Sequence, residues 1–365
     1  MAVATARTGV PVERLEVAAC RIPTEEPESD GTLKWDSTTL VVVQAAAGGA
    51  RGLGYTYSDA VAATLIDDTL RALVEGRDAF AVQAVWDALG ARVRNMGRPG
   101  IAASAISAID VALWDLKARL LDVPLSALLG AARDSVSIYG SGGFTSYTVP
   151  ALEAQLAGWV GDGISRVKMK VGRDPTADVR RVEAARLAVG EAELFVDANG
   201  AYGRKQALAF AERFAEHDVT WFEEPVSSAD FDGLRLLRDR APAGMDIAAG
   251  EYAYVAADFR NLTGVVDCLQ ADATRCLGIT GFLRAAALAE AHGLDVSAHT
   301  APSLHLHVSL AAPRIRHLEW FHDHVRIERM LLDGFVEPVD GALRPDLSRP
   351  GHGLELKVAD AERFA

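Results

Sequence analysis

Three carboxylates, Asp197, Glu223 and Glu251, each close a short apolar run: LFVDAN, TWFEEP and DIAAGE. On consecutive strands of a closed sheet these side chains converge on one point. Three carboxylates crowded together repel unless a hard cation holds them, and an oxygen-only set with room for water and substrate favours Mg²⁺. Any one of them alone is explained as well by an N-cap or an ion pair with the next helix. Three at successive strand ends are not. Glu224, beside Glu223, reads either as an outer ligand or as a neighbour of the ligand set.

Two candidate bases flank this cluster. In RVKMK the side chains alternate, so Lys168 and Lys170 share one face while Val167, Met169 and Val171 share the other. The apolar set must face helices, which directs both ammonium groups inward. Buried charge is costly unless paired, so structural salt bridges are the plainer explanation and a functional pair the sharper one. Lys168 disfavours the charged form of Lys170 and is expected to lower its pKa toward that of a useful base. Asp272 in CLQADA and His299 in DVSAHT end two later runs. An aspartate that accepts from one ring nitrogen fixes the tautomer and makes the other nitrogen a better base. Lys170 and His299 then approach one carbon from opposite sides. Glu319, in LEWFHD, could donate a hydrogen bond to a developing oxyanion if it stays protonated. Asn199, Tyr139 and His322 close runs at the same level and are candidate substrate contacts. Arg275 and Cys276, just past Asp272, read as supporting residues, and His305 and His307, two apart on a helix, cannot chelate one ion.

These residues need elements to hold them. Eight runs, starting at Val136, Ser165, Leu194, Thr220, Asp246, Cys268, Asp295 and Leu318, are spaced 22 to 29 residues apart with helical stretches between. That alternation predicts parallel βα units closing into an α/β barrel of the TIM type, whose active sites lie at the C-terminal strand ends. DPTADVRRVEAARLAVG and ITGFLRAAALAEAHG have the start and stop signals of crossover helices. Before residue 130, LEVAACRI and TTLVVVQAAA read as antiparallel strands followed by helices near Ala60–Glu75, Ala81–Met96 and Ile101–Leu121, an α+β domain. The expected division is residues 1–130, a barrel over 131–335, and a Pro/Gly-rich tail over 336–365 that packs back on the first domain. No regular crossover helix is expected after His324. The acidic stretch Thr24–Ser37 reads as a loop, either solvated or a lid over the barrel mouth. With GLGYTYSD from Gly52 it is where specificity is expected, and its acidity points to a polyhydroxyl or cationic distal group rather than a second carboxylate.

The whole chain, 365 residues and half apolar, is long enough for a barrel and a smaller domain. Its formal charge of −13 argues against nucleic acid or an anionic membrane as partner. Three cysteines imply no disulfide framework, and the expected location is the cytoplasm. The N-terminus lacks the pattern of a leader. IAASAISAIDVALWDL, broken by Asp110, reads as a buried helix rather than a membrane span.

In the order KMK, VDAN, WFEEP, AAGE, QADATRCLGIT, SAHT and LEW, these motifs resemble those of the enolase superfamily, and within it the mandelate racemase subgroup, over nearly the whole length. Leu277 departs from the glycine more usual in TRCLG. The resemblance implies a modified (β/α)₇β barrel beneath an α+β capping domain. It makes Asp197, Glu223 and Glu251 ligands of Mg²⁺, and Lys170 and His299 the acid/base pair. Asp272 would support His299, and Glu319 would bond the enolate. It also implies a small carboxylate substrate and a homo-oligomer. The expected reaction begins by removing a proton α to a carboxylate, the charge being held by Mg²⁺, Lys168 and Glu319. Loss of a β-hydroxyl then gives a 2-keto acid, the outcome favoured here, while reprotonation on the other face gives a racemase or epimerase. A non-catalytic homologue that kept the fold is the remaining alternative.

Overall fold

Alternating aliphatic residues near the start of the chain need partner strands, and in the computed structural model, which describes residues 9–365, they pair with one another. The first eight residues, where part of the leader reading fell, lie outside the described region. β1 (Arg14–Ser29) and β2 (Lys34–Ala47) run antiparallel from Arg14↔Ala46 to Ser29↔Lys34, with a bulge between Pro23 and Glu28. β3 (Ala50–Tyr57) adds to β2 and completes a three-stranded sheet.

Two expectations change here. The 24–37 stretch is a bulged extension of the hairpin, and only residues 30–33 turn; the bulge absorbs the unmatched residues and re-aims the tip. Its acids are not all solvated either: Glu28 and Asp30 are buried, with Trp35 Nε1 donating to Glu28 at 2.8 Å and the Thr32 and Leu33 amides donating to Asp30 at 2.6 Å. The tip presses on the barrel so closely that a Cβ on Gly31 would lie 2.3 Å from the Ala198 carbonyl. GLGYTYSD, in turn, is mostly strand. Its glycines leave room for a helix against the sheet: a Cβ on Gly52 would lie 2.2 Å from the Ala112 carbonyl.

That helix is α3. α1 (Val61–Leu65) continues through one π and one 3₁₀ turn to Leu73, and α2 (Val82–Arg92), α3 (Ile101–Leu120) and α4 (Leu125–Leu129) follow. α3 is the apolar segment holding Asp110, buried along most of its length. Among the described residues, no helix is long and apolar enough to cross a membrane.

From Val136 onward the period is strand then helix. The pairs are β4 (Val136–Gly142) and α5 (Val149–Gly161), β5 (Arg166–Lys170) and α6 (Asp178–Val189), β6 (Glu193–Asp197) and α7 (Arg204–Ala215), and β7 (Val219–Glu223) and α8 (Phe231–Arg240). They continue with β8 (Asp246–Ala249) and α9 (Ala256–Leu262), β9 (Cys268–Ala271) and α10 (Gly278–Ala291), and β10 (Asp295–Ala298) and α11 (Pro302–Ala311), before β11 (Ile315–Phe321). All eight strands pair in parallel, and β11 pairs with β4 to close the barrel. Seven helices joining eight strands is the expected (β/α)₇β arrangement. The interior floor is filled by Tyr139, Phe195, Trp221, Ala248 and Cys268, so the barrel is a packed core below its mouth.

No crossover to a further parallel strand follows β11, but a helix does: α12 (His322–Leu331), amphipathic and half buried, which leads out of the barrel. The rest is short: β12 (Leu332–Asp333), β13 (Ala342–Leu343), β14 (Glu355–Leu356) and α13 (Val358–Ala361). β13 adds antiparallel to β4, β14 pairs with β12, and His352 reaches the first sheet through Leu53 O at 2.7 Å.

Candidate active site

Register assembles the charged layer. Lys170 is opposite Asp197, and Asp197 opposite Glu223, so three adjacent strands present their terminal side chains at one height. Glu251 lies two residues past β8. Gly250 before it has φ 141°, and a Cβ there would lie 2.1 Å from the Gln270 carbonyl, so only glycine lets the chain turn Glu251 inward. Asp197, Glu223 and Glu251 are buried, each offering an oxygen within 4.8 Å of the others. Glu224 sits beside them with φ 37°, buried, its Oε1 without a partner; burial first, then the charges of Glu251, Asp197 and Glu223, push its carboxyl well above the usual range. A buried acidic cluster with an unsatisfied oxygen at its edge fits a divalent cation with oxygen ligands.

Both lysines enter this layer as their alternation predicts. Lys168 Nζ lies 2.6 Å from both oxygens of Glu223, 2.9 Å from Glu319 and 3.5 Å from Asp197, while Lys170 Nζ is 2.5 Å from Asp197. The expected lowering of Lys170 is not what the arrangement produces. Burial, the largest effect, and Lys168 both pull it down, but the Asp197 and Glu223 carboxylates outweigh them and hold it above its ordinary value. A neighbouring carboxylate on the next strand beats a like charge on the same one.

His299 lies between two acids. Its Nδ1 is 2.9 Å from Asp272 Oδ2 and its Nε2 2.9 Å from Glu251 Oε2. Burial, the largest effect, lowers its pKa, but the flanking Glu251 and Asp272 raise it to about 9. Asp272 is held in turn by the Thr274 amide at 2.7 Å and by Arg275 at 3.5 Å. His305 is buried beneath it: its Nδ1 faces the Thr300 and Ala301 carbonyls and its Nε2 accepts the Ala273 amide at 2.8 Å, a neutral structural histidine. Glu319 differs from its expected protonated state. It accepts from Ser141 Oγ at 2.6 Å and the Thr300 amide at 2.9 Å, and although burial raises it, Lys168 and then His299 and Lys170 bring it down to about 2, leaving it ionised.

A cavity of about 500 Å³ opens above these groups. Asn199, with φ 46°, lines it, as expected of a substrate contact. Tyr139 does not: it lies buried in the floor, its ring 5.3 Å below Lys168 Nζ, because its place in β4 is one layer deeper than the strand ends. His322 does not either. With Glu319 inward, alternation turns Phe321 inward and His322 outward, where it lies 3.4 Å from Glu25 on another surface. Phe321, His324, Tyr57 and Arg275 line the cavity instead. The first follows from strand phase, and Arg275 lies just past Asp272 where a supporting residue was read; His324 and Tyr57 depend on α12 starting at His322 and on β3, neither of which was expected.

Comparison with known proteins agrees with this arrangement. Residues 17–130 match the mandelate racemase / muconate lactonizing enzyme N-terminal domain, and residues 151–361 the enolase C-terminal domain-like family. A mandelate racemase/muconate lactonizing enzyme-like protein from Rubrobacter xylanophilus is 54% identical, with a TM-score of 0.96 over 97% of this chain and 99% of that one. The 3,6-anhydro-alpha-L-galactonate cycloisomerase of Streptomyces coelicolor is 34% identical over 97% of this chain and 99% of its own. L-talarate/galactarate dehydratase from Salmonella typhimurium LT2, solved with Mg and L-lyxarohydroxamate, is 30% identical, with a TM-score of 0.90 over 100% of this chain and 95% of that one. The protein belongs to the mandelate racemase/muconate lactonizing enzyme family of the enolase superfamily.

Proposed function

We propose that this protein is a Mg²⁺-dependent lyase that dehydrates an acid sugar to a 2-keto-3-deoxy acid. The observation that carries the reading is the placement of two proton-transfer groups, Lys170 and His299, against opposite members of one buried carboxylate cluster, Asp197 and Glu251. Asp197, Glu223 and Glu251 would hold Mg²⁺. When bound, the ion would engage the substrate carboxylate and offset the negative charge that grows on it. Lys168, shared among Glu223, Glu319 and Asp197, is the ammonium placed to meet that carboxylate. With Asp197 and Glu251 committed as ligands, Lys170 and His299 would lose the carboxylate charge that keeps them protonated; whichever of the two is then neutral takes the α-proton, and the electron pair of the broken C–H bond becomes the enediolate. Protonated His299, held by Asp272, then gives its proton to the β-hydroxyl; the C–O bond breaks, water leaves, and the enol tautomerises to the ketone. Once Lys168 turns to the substrate, Glu319 loses its strongest partner and can take a proton and donate to the enediolate. Asn199 is the proposed contact to a hydroxyl.

In this reading the described part of the 1–130 domain, from residue 9, caps the mouth of the barrel over 131–335, and 336–365 tie the two together. A cytoplasmic location is supported by three buried, unpaired thiols. The similarity to a cycloisomerase favours one second outcome, in which the same proton abstraction leads to an internal rearrangement. The relatives' names span a monocarboxylate and a dicarboxylate, and do not select between them for this chain. Proton NMR of acid sugars with protein and Mg²⁺ in D₂O tests the reading: a 2-keto-3-deoxy product is expected, and retention of the α-proton in every compound, with no product, would sink it.

A further inference from the structure

The cavity has two unlike halves. The barrel half supplies all of its lysine and arginine among the described residues, Lys170 and Arg275. Both charges are already matched: Lys170 by Asp197, and Arg275 by Asp272 at 3.5 Å and Glu251 at 3.8 Å, with its Nη1 also donating to the Glu251 carbonyl at 3.2 Å. The cap half, facing the distal end of anything whose carboxylate sits at the cluster, has no cation. It offers hydroxyls of Thr38, Thr39 and Ser58, the rings of Trp35 and Tyr57, and the carboxylate of Asp59, which accepts the Val61 amide at 2.9 Å. Lys34, the basic residue at the hairpin tip, is exposed and outside the lining. A second carboxylate placed here would lose its hydration and meet like charge with nothing to offset it.

One further group on this wall is fixed unusually well. His324 is buried, stacked on Tyr57 with ring centroids 3.4 Å apart and planes 14° from parallel, and its Nδ1 accepts the Ala301 amide at 3.3 Å. An accepting Nδ1 leaves the proton on Nε2, which has no acceptor among the described residues. The ring is therefore a neutral N–H donor whose orientation is set before any ligand arrives.

We infer that the cap-side half of the cavity takes an uncharged, hydroxyl-bearing chain, so that the substrate is a monocarboxylate acid sugar rather than a dicarboxylate, with His324 Nε2–H donating to a distal oxygen. This rests on the proposed dehydration. The test measures kcat and KM for five- and six-carbon aldonates and the matching aldarates with Mg²⁺, and follows α-proton exchange in D₂O for each. The best aldonate is expected to exceed every aldarate by about a hundredfold in kcat/KM, given the unpaired charge an aldarate would bury. His324→Phe keeps a ring on Tyr57 and removes the donor; KM for the aldonate should rise about tenfold with kcat nearly unchanged, and His324→Gln, which restores an N–H, should recover part of it. An aldarate within tenfold of the best aldonate overturns the inference and leaves the dehydration intact. An unchanged KM in folded His324→Phe removes His324 from it. Absence of exchange in both classes overturns the underlying reaction and this inference together.

Discussion

Every proton-transfer or charge-binding side chain at the mouth is held by a carboxylate that a metal would also need: Lys168 by Glu223, Lys170 by Asp197, His299 by Glu251. Metal binding and base strength are therefore coupled through shared oxygens. Glu251→Gln should weaken Mg²⁺ binding by at least about tenfold in a calorimetric titration, since a charged ligand and its support of His299 go together. Lys170→Met, matched in length and folded by circular dichroism, should lower kcat/KM by roughly 10²–10⁴-fold, the range for losing a positioned acid or base. Gly250→Ala should cost about 3 kcal/mol of stability by chemical denaturation, because a Cβ would meet the Gln270 carbonyl at a positive φ. The carboxylate cluster and the His299–Asp272 pair were legible because strand-end spacing alone brings them together. The charge state of Lys170 was not. It depends on how Asp197 approaches across the β5–β6 register, and a one-dimensional reading sees only the nearer Lys168. Reading His322 as a substrate contact was a different error, since counting by twos from Glu319 already turns it away.

At the scale of elements, the notable junction is between α3 and α10. The first amides of α10 are met by α3 side chains: Gly278 N by Ser107 Oγ at 3.0 Å and Thr280 N by Asp110 Oδ2 at 2.9 Å. Trp114 Nε1 donates to Thr280 Oγ1 at 2.9 Å, and Trp86 Nε1 to the Leu277 carbonyl at 2.8 Å just ahead of the helix. Burial pushes the Asp110 carboxyl up to about 7, against the lowering effect of its bonds to Thr280. A raised folded value means the folded chain holds this proton more tightly than the unfolded one. The stabilisation is complete below the ordinary carboxylate range, shrinks as pH rises, and is gone above about 7. Asp110→Asn, which cannot ionise, should match the parent near pH 4 and exceed it at pH 8, by up to ~4 kcal/mol over three units at 1.36 each; melting curves at the two pH values check it. Sequence alone showed Asp110 only as an interruption in an apolar run, because its partner lies 170 residues away. The 24–37 hairpin was read as a loop for a related reason: acidic residues mark turns locally, while the pairing of Glu28 with Trp35 across the bulge belongs to the fold.

For the whole molecule, the barrel was legible because its period repeats eight times, whereas the helix after β11 and the third cap strand belong to no repeat. A cation that binds only the assembled mouth should stabilise the fold by mass action, by about 2.7 kcal/mol at a hundred times its Kd. EDTA should accordingly lower Tm, Mg²⁺ should restore it, and the Glu223→Gln variant should respond to neither. The junction at α10 carries one more implication, for anyone treating cap and barrel as interchangeable parts. A chimera that takes its barrel from this protein and its cap from a relative would leave the opening amides of α10 without Ser107 and Asp110, a few residues after Asp272 and Arg275. Loss of activity in such a graft could then arise at the seam, with the catalytic side chains all in place, and transplanting α3 together with the β9–α10 connection is the unit of exchange that avoids it.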